Sequence, residues 1–140
     1  MTMQITNQAD YALRSMLFIA PLGTDKPIPS NVIAEEMQIS RIFLSRINSQ
    51  LGNAGLIKTR RGARGGIVLA KKPADISIYD ILIAVDGNIN LIHCSKDPEG
   101  CPLSDNCPYM AFWKETEYLL ISKMKQTSLQ DILEQYTPAK

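Results

Sequence analysis

Histidine and cysteine are scarce: one histidine, His93, and three cysteines, Cys94, Cys101 and Cys107, are all that 140 residues hold. That scarcity excludes a good deal. His93 is the only histidine that could serve as a base, no plausible catalytic triad is seen, and no glycine-rich phosphate loop opens a helix, so the sequence does not read as an enzyme. An odd cysteine count argues against a disulfide framework. No apolar run approaches the ~18 residues that a membrane span requires. The first residues are polar and lead straight into an amphipathic pattern, so no secretory signal is expected, and a cytoplasmic location with reduced thiols is. Internal repeats and low-complexity tracts are absent. An apolar fraction of 45% and a charged fraction of 21% suit an ordinary globular chain with a real core.

Another absence is local. No Asp or Glu occurs from Met37 to Lys72, where Arg41, Arg46, Lys58, Arg60, Arg61, Arg64, Lys71 and Lys72 supply eight positive charges. From Cys94 onward seven acidic residues outnumber five basic ones, so the net charge of +1 conceals two unlike halves. A basic block inside a near-neutral chain implies a local polyanion-binding surface.

Apolar spacing predicts the elements. Asn7 is the expected cap of a first helix to about Pro21, with Ala9, Ala12, Leu13, Met16, Leu17 and Ala20 on its buried face. Asp10 in its first turn suits the helix dipole, and Arg14 lies four residues on. Ser30 is the expected cap of a short helix ending near Met37. Gln38-Ile39 makes a turn, and Ser40 caps a further helix with Phe43, Leu44, Ile47 and Leu51 as its apolar face. Two short helices joined by such a turn suggest a helix-turn-helix. Leu56–Thr59 and Ile67–Ala70 read as strands flanking Arg60-Arg61-Gly-Ala-Arg64-Gly-Gly. A basic hairpin after a helix-turn-helix is the arrangement of a winged helix, in which the second helix meets base edges and the wing meets phosphates or the minor groove.

Ser77 to Asp80 resembles a capping box for the next helix, and Thr127 to Gln130 another for the last one. Between them Pro108 opens a helical stretch to about Gln126, with Met110, Trp113, Leu120 and Met124 on one stripe widened by Phe112, Leu119 and Ile121. Its length, roughly 28 Å at ~1.5 Å per residue, exceeds what a small winged helix needs to cover its core, so it reads as a dimerisation helix. The expected class is mainly α with a small β-hairpin. Residues 1–75 form a winged helix-turn-helix DNA-binding domain, and residues 76–140 hold the cysteine loop (93–108) and the dimerisation helices. That loop, broken by Pro98, Gly100, Pro102 and Pro108, concentrates all three thiols where they can converge on a metal or an iron–sulfur cluster.

Taken together, Asp10-Tyr-Ala-Leu-Arg14, the segment from Ser40, Arg61-Gly with Gly65-Gly66, Cys101-Pro-Leu-Ser-Asp-Asn-Cys107 and the tail from Trp113 to Leu129 carry a resemblance over essentially the whole chain. The sequence resembles the bacterial iron–sulfur-cluster winged-helix regulators of the IscR, NsrR and RirA types. The resemblance implies a homodimeric regulator, expected as a repressor, whose DNA binding follows a cluster that senses nitric oxide, iron or redox state. It implies Cys94, Cys101 and Cys107 as cluster thiolates, for a 4Fe-4S or a 2Fe-2S centre. It places Ser40, Ser45 and Arg46 toward the bases and Arg61 in the minor groove. Arg41, Arg60 and Arg64 are added on charge alone, as phosphate contacts. For the fourth ligand three alternatives stand. The IscR type uses a histidine where this chain has Met110, the NsrR type an aspartate of the partner's first helix at the position of Asp10, and other members no clear protein ligand. Two-fold symmetry implies a near-palindromic double-stranded operator. The competing expectation is a winged-helix protein stabilised by zinc on the three cysteines plus His93 or a carboxylate, with no sensing role.

Overall fold

The computed structural model describes residues 4–91, 101–103 and 106–136. His93 and Cys94 lie outside the described residues. The elements run α1 (Asn7–Ile19), α2 (Ser30–Met37), α3 (Arg41–Asn53), β1 (Ile57–Arg60), β2 (Gly66–Leu69), α4 (Ile78–Asp86), α5 (Pro108–Gln126) and α6 (Leu129–Gln135). This is the expected mainly helical chain with one antiparallel hairpin.

The cap of α1 differs from the expectation by one residue. Thr6, not Asn7, stands outside the helix in an extended conformation, and its Oγ1 accepts from the Ala9 amide at 3.0 Å. The same hydroxyl donates toward both carboxylate oxygens of Asp86, at 2.7 and 2.9 Å, tying the start of α1 to the end of α4. Likewise Ser30 is the first residue of α2 and not its cap. Pro29 precedes it there without any side-chain capping bond. The turn after α2 is as expected. Gln38 takes a left-handed conformation (φ 55°), and the Ile39 amide closes back on the Ala34 carbonyl at 2.9 Å, the six-to-one bond of a Schellman motif. Ser40 then caps α3, accepting from the Phe43 amide at 3.2 Å.

One face of α3, Leu44, Ile47 and Leu51, is buried with Met16 and Ile19 of α1, Ile33 of α2 and Ile81 of α4 in a continuous apolar cluster. Phe43, expected on that face, is half exposed instead. It lies one residue round the helix and meets Tyr11 of α1 edge-on, with ring centroids 5.9 Å apart.

The wing is better anchored than two short strands would be alone. Its register pairs Ile57 with Leu69 and Arg60 with Gly66. Beyond the pair, Ile28, just before α2, exchanges backbone bonds with Ile67 at 2.8 and 3.0 Å and so acts as a third rung. This rung explains the second wing glycine. A β-carbon on Gly66 would collide with the Ile28 carbonyl and stand 2.7 Å from the Pro29 nitrogen.

The C-terminal elements return to the same core. The Ile78 amide donates to Thr127 (2.9 Å) and the Leu129 amide to Ile76 (2.8 Å), a bridge that sets the starts of α4 and α6 side by side. Each start carries a complete Ser-x-x-Asp capping box, Ser77 with Asp80 and Ser128 with Asp131. The second box thus begins one residue later than the expected Thr127–Gln130. Between them α5 buries none of its 19 residues fully. Its expected single stripe divides. Trp113, Ile121 and Met124 turn inward and are partly covered, while Tyr109, Phe112, Leu119 and Leu120 are exposed.

The contact at Gly66 gives a direct test. Gly66→Ala overpacks a backbone–backbone approach that cannot yield by rotating a side chain, so it lowers unfolding free energy by roughly 1–3 kcal/mol. Urea titration should show a lower midpoint with an unchanged slope, and an unshifted midpoint would refute the account.

Candidate nucleic-acid interface and metal centre

With Leu44, Ile47 and Leu51 inward, the helical repeat of about 3.6 residues turns Ile42, Ser45, Arg46 and Ser49 outward. All four are exposed, as is Arg41 in the first turn. Ser40 stands at the N-terminus, its oxygen engaged in the cap and its proton free to donate. The expected residues of this helix therefore share one accessible side and end. Ile42 was not among them. It is 79% exposed, and the signal that would have found it is its place opposite Leu44 and Leu51 on the helical wheel.

Beside α3, a cleft of about 520 Å³ opens toward the wing, lined by Ser30, Asn31, Arg41, Ser45, Asn48 and Thr59 among others. Asn48 contributes a buried side-chain oxygen without a hydrogen-bond partner. Leu44 and Ile67 supply apolar wall, and the hydroxyls, amides and one guanidinium around them are groups that bond a sugar–phosphate backbone.

The wing arginines differ in kind. Arg61 and Arg64 are exposed at the tip, whose turn is closed by the Gly65 amide on the Gly62 carbonyl at 3.0 Å. Arg60, expected as a phosphate contact on charge alone, bonds the chain itself with both terminal nitrogens. Nη1 donates to the Asp25 carbonyl and Nη2 to the Thr24 carbonyl, each at 3.0 Å. It fastens the wing to the loop before α2. Sequence could not show this, because the partners are carbonyls 35 and 36 residues away.

The cysteine site is described in part. Cys107 is the N-cap residue of α5, but no side-chain capping bond forms there. Cys101 and Cys107 are both half-buried and carry no disulfide. The chain enters the cysteine segment from a fixed point as well, since the Leu91 amide donates to Glu117 of α5 at 2.9 Å. Among the described residues no three ligand-type side chains converge. Two thiols free of a disulfide, one of them at the N-cap of α5, with carboxylates elsewhere on the chain, are donors of the kind that a thiolate-bound iron–sulfur group takes.

Asp10 lies on α1, where Arg14 Nη2 meets its Oδ2 at 2.6 Å, with the two side chains 41% and 43% exposed respectively. Arg14 continues outward from there. Its Nη1 donates to the Met37 carbonyl at the end of α2 (3.3 Å), and its guanidinium lies 5.3 Å from the centre of the Tyr11 ring, which in turn meets Phe43 of α3. Asp10 thus heads a continuous set of contacts reaching both helices of the helix-turn-helix.

Comparison with known proteins fits this architecture. A family model, Rrf2, described as an iron-dependent transcriptional regulator, matches residues 5–135. The chain belongs to the Rrf2 family. Among its relatives, the regulator NsrR of Geobacillus kaustophilus is 35% identical over 133 residues, covering 94% of this chain and 90% of that one. The regulator IscR of Photorhabdus laumondii is 29% identical over 131 residues, covering 94% and 79%. Among solved structures, CymR, the global cysteine regulator of B. subtilis, superimposes with a TM-score of 0.79 at 26% identity, covering 97% of this chain and 100% of that one. All three are named as regulators, in agreement with the expectation that the chain is not an enzyme. The protein is a winged-helix, DNA-binding transcriptional regulator of the Rrf2 family. Among the described residues no helix is long and apolar enough to cross a membrane.

The two classes of wing arginine should separate in solution. Arg61→Ala and Arg64→Ala each reduce the slope of log affinity against log salt by about 1, the signature of a lost phosphate contact, and leave the melting temperature unchanged. Arg60→Ala lowers the melting temperature and leaves the salt slope nearly intact. Equal slopes for all three variants would contradict the distinction.

Proposed function

We propose that this Rrf2 regulator is a cytoplasmic homodimer that binds a near-palindromic operator under the control of an iron–sulfur cluster held by Cys94, Cys101 and Cys107. The observation that carries the reading is the two half-buried thiols without a disulfide, Cys101 and Cys107, the latter at the N-cap of α5, in a segment whose other end is pinned to α5 through Glu117. Family membership and the resemblance to cluster regulators support it. When bound, the cluster would supply iron with which nitric oxide or oxygen can react and which is lost when iron is scarce.

The protein's own residues do the rest. Asp10 is the candidate for an oxygen ligand from the partner subunit, since Arg14 meets its Oδ2 and its side chain is 41% exposed. Movement of the Asp10 carboxylate would be felt by Arg14 and hence at the Met37 carbonyl, one residue before the helix-turn-helix turn. On this reading a change at the cysteine segment alters how α3 is presented. Ser40, Arg41, Ser45 and Arg46 on α3 and Arg61 and Arg64 on the wing supply the DNA contacts.

Native mass spectrometry of anaerobically purified protein is the deciding measurement. The reading expects iron and sulfide in stoichiometric cluster ratio, brown colour, and loss of both in Cys107→Ser. Colourless protein carrying zinc would replace it with the zinc-stabilised alternative. For Asp10→Ala the expectation is a cluster that forms but decays faster in air. Identical decay rates would remove Asp10 from the ligand set.

The dimer reading rests on the exposed face of α5, which carries Tyr109, Phe112, Leu119 and Leu120. Facing copies of such a stripe would bury it as two-fold interfaces do. Sedimentation velocity should find wild type as a dimer and Phe112→Glu/Leu119→Glu as a monomer with native helix content. A dimeric double variant would exclude this face.

A further inference from the structure

We propose that Ile42 reads the methyl group of a thymine in the major groove, and so sets one position of the operator sequence. The inference rests on α3 entering that groove. Among the described residues Ile42 is the most exposed of the large apolar side chains, at 79%, and it occupies the first turn of α3. Recognition helices reach base edges with their N-terminal residues.

Its surroundings make the choice of ligand narrow. Around it on the outer face of α3 stand Ser45, Arg46 and Ser49, all exposed and all polar. Ile42 takes no part in the apolar cluster that holds the fold together, whether as a buried member or as a partly buried neighbour. A branched aliphatic side chain has neither donor nor acceptor. Laid against guanine, adenine or cytosine edges it would strip water from polar groups and return nothing. The major groove displays a single apolar group, the C5 methyl of thymine, and that is the group this side chain can reward. Arg46, four residues on, and Ser45, three residues on, are then placed to hydrogen-bond the neighbouring edges. Ile42 gives the basic and hydroxylated helix a contact that neither charge nor hydrogen bonding can supply.

The test deletes the methyl and nothing else. Full-length protein is used to select its binding sequence from a randomised DNA duplex pool, and every thymine of the selected duplex is then replaced, one at a time, by uracil. Affinities are measured for wild type and for Ile42→Ala, whose melting temperature should match wild type because the side chain packs against nothing. For wild type, one thymine in each half-site should lose about fourfold in affinity on conversion to uracil, the worth of one methyl group removed from water. Ile42→Ala should bind the thymine duplex more weakly and be indifferent to uracil at that position. Wild type that binds the selected duplex but shows no uracil-sensitive position, or the same sensitivity in Ile42→Ala, overturns the assignment while leaving the DNA-binding reading intact. A pool that yields no bound duplex overturns both.

Discussion

Burial of Leu44, Ile47 and Leu51 is the constraint on which the other features depend. These three side chains fix the rotation of α3 about its axis against α1, α2 and α4, and the helical repeat then decides what the opposite side presents. Had the apolar face been shifted by one residue, Phe43 would be inside and Ile42, Ser45 and Arg46 would no longer share an outward side. The serine cap before α3 and the left-handed Gln38 fix where the helix starts, and so how far its first turn projects.

Around this helix the chain uses backbone contacts where side-chain packing would be thin. The hairpin is only four residues a side, yet the exchange between Ile28 and Ile67 and the two bonds from Arg60 attach it to the segment leading into α2. The wing and the helix-turn-helix are thereby one body, which a two-surface grip on a duplex requires. At the far side the bridge of Ile78–Thr127 and Leu129–Ile76 performs the same service for the C-terminal elements. It leaves α5 held at its C-terminal end and through Glu117, with the apolar side of Tyr109, Phe112 and Leu119 outward.

The connection between Asp10 on α1 and the two helices of the helix-turn-helix can be followed through named groups. Arg14 touches Asp10, the Met37 carbonyl and the Tyr11 ring at once, and Tyr11 touches Phe43. A guanidinium with several partners is suited to this place because its fork can exchange one acceptor for another without losing its charge or its stacking. The Asp10–Arg14 spacing alone read as a local helix pair. That reading is correct at 2.6 Å, but incomplete without the second and third partners.

By itself the sequence determined the kind and order of the elements, because apolar periodicity, Ser-x-x-Asp caps and wing glycines are local signals carried within a few residues. It also determined the chemistry at stake: three thiols in one proline-broken segment and an acid-free basic block. Where it slipped by a residue, at Thr6, Ser30 and Ser128, neighbouring cap-forming side chains competed and only the observed backbone chose between them. Tertiary structure alone decided that Arg60 serves the fold through the Thr24 and Asp25 carbonyls, that Phe43 leans on Tyr11, and that the stripe of α5 divides into an inner and an outer face. Each of those outcomes depends on a partner far away in sequence. A local pattern fixes which way a side chain can point, but what it meets there is set by the packing of the whole chain.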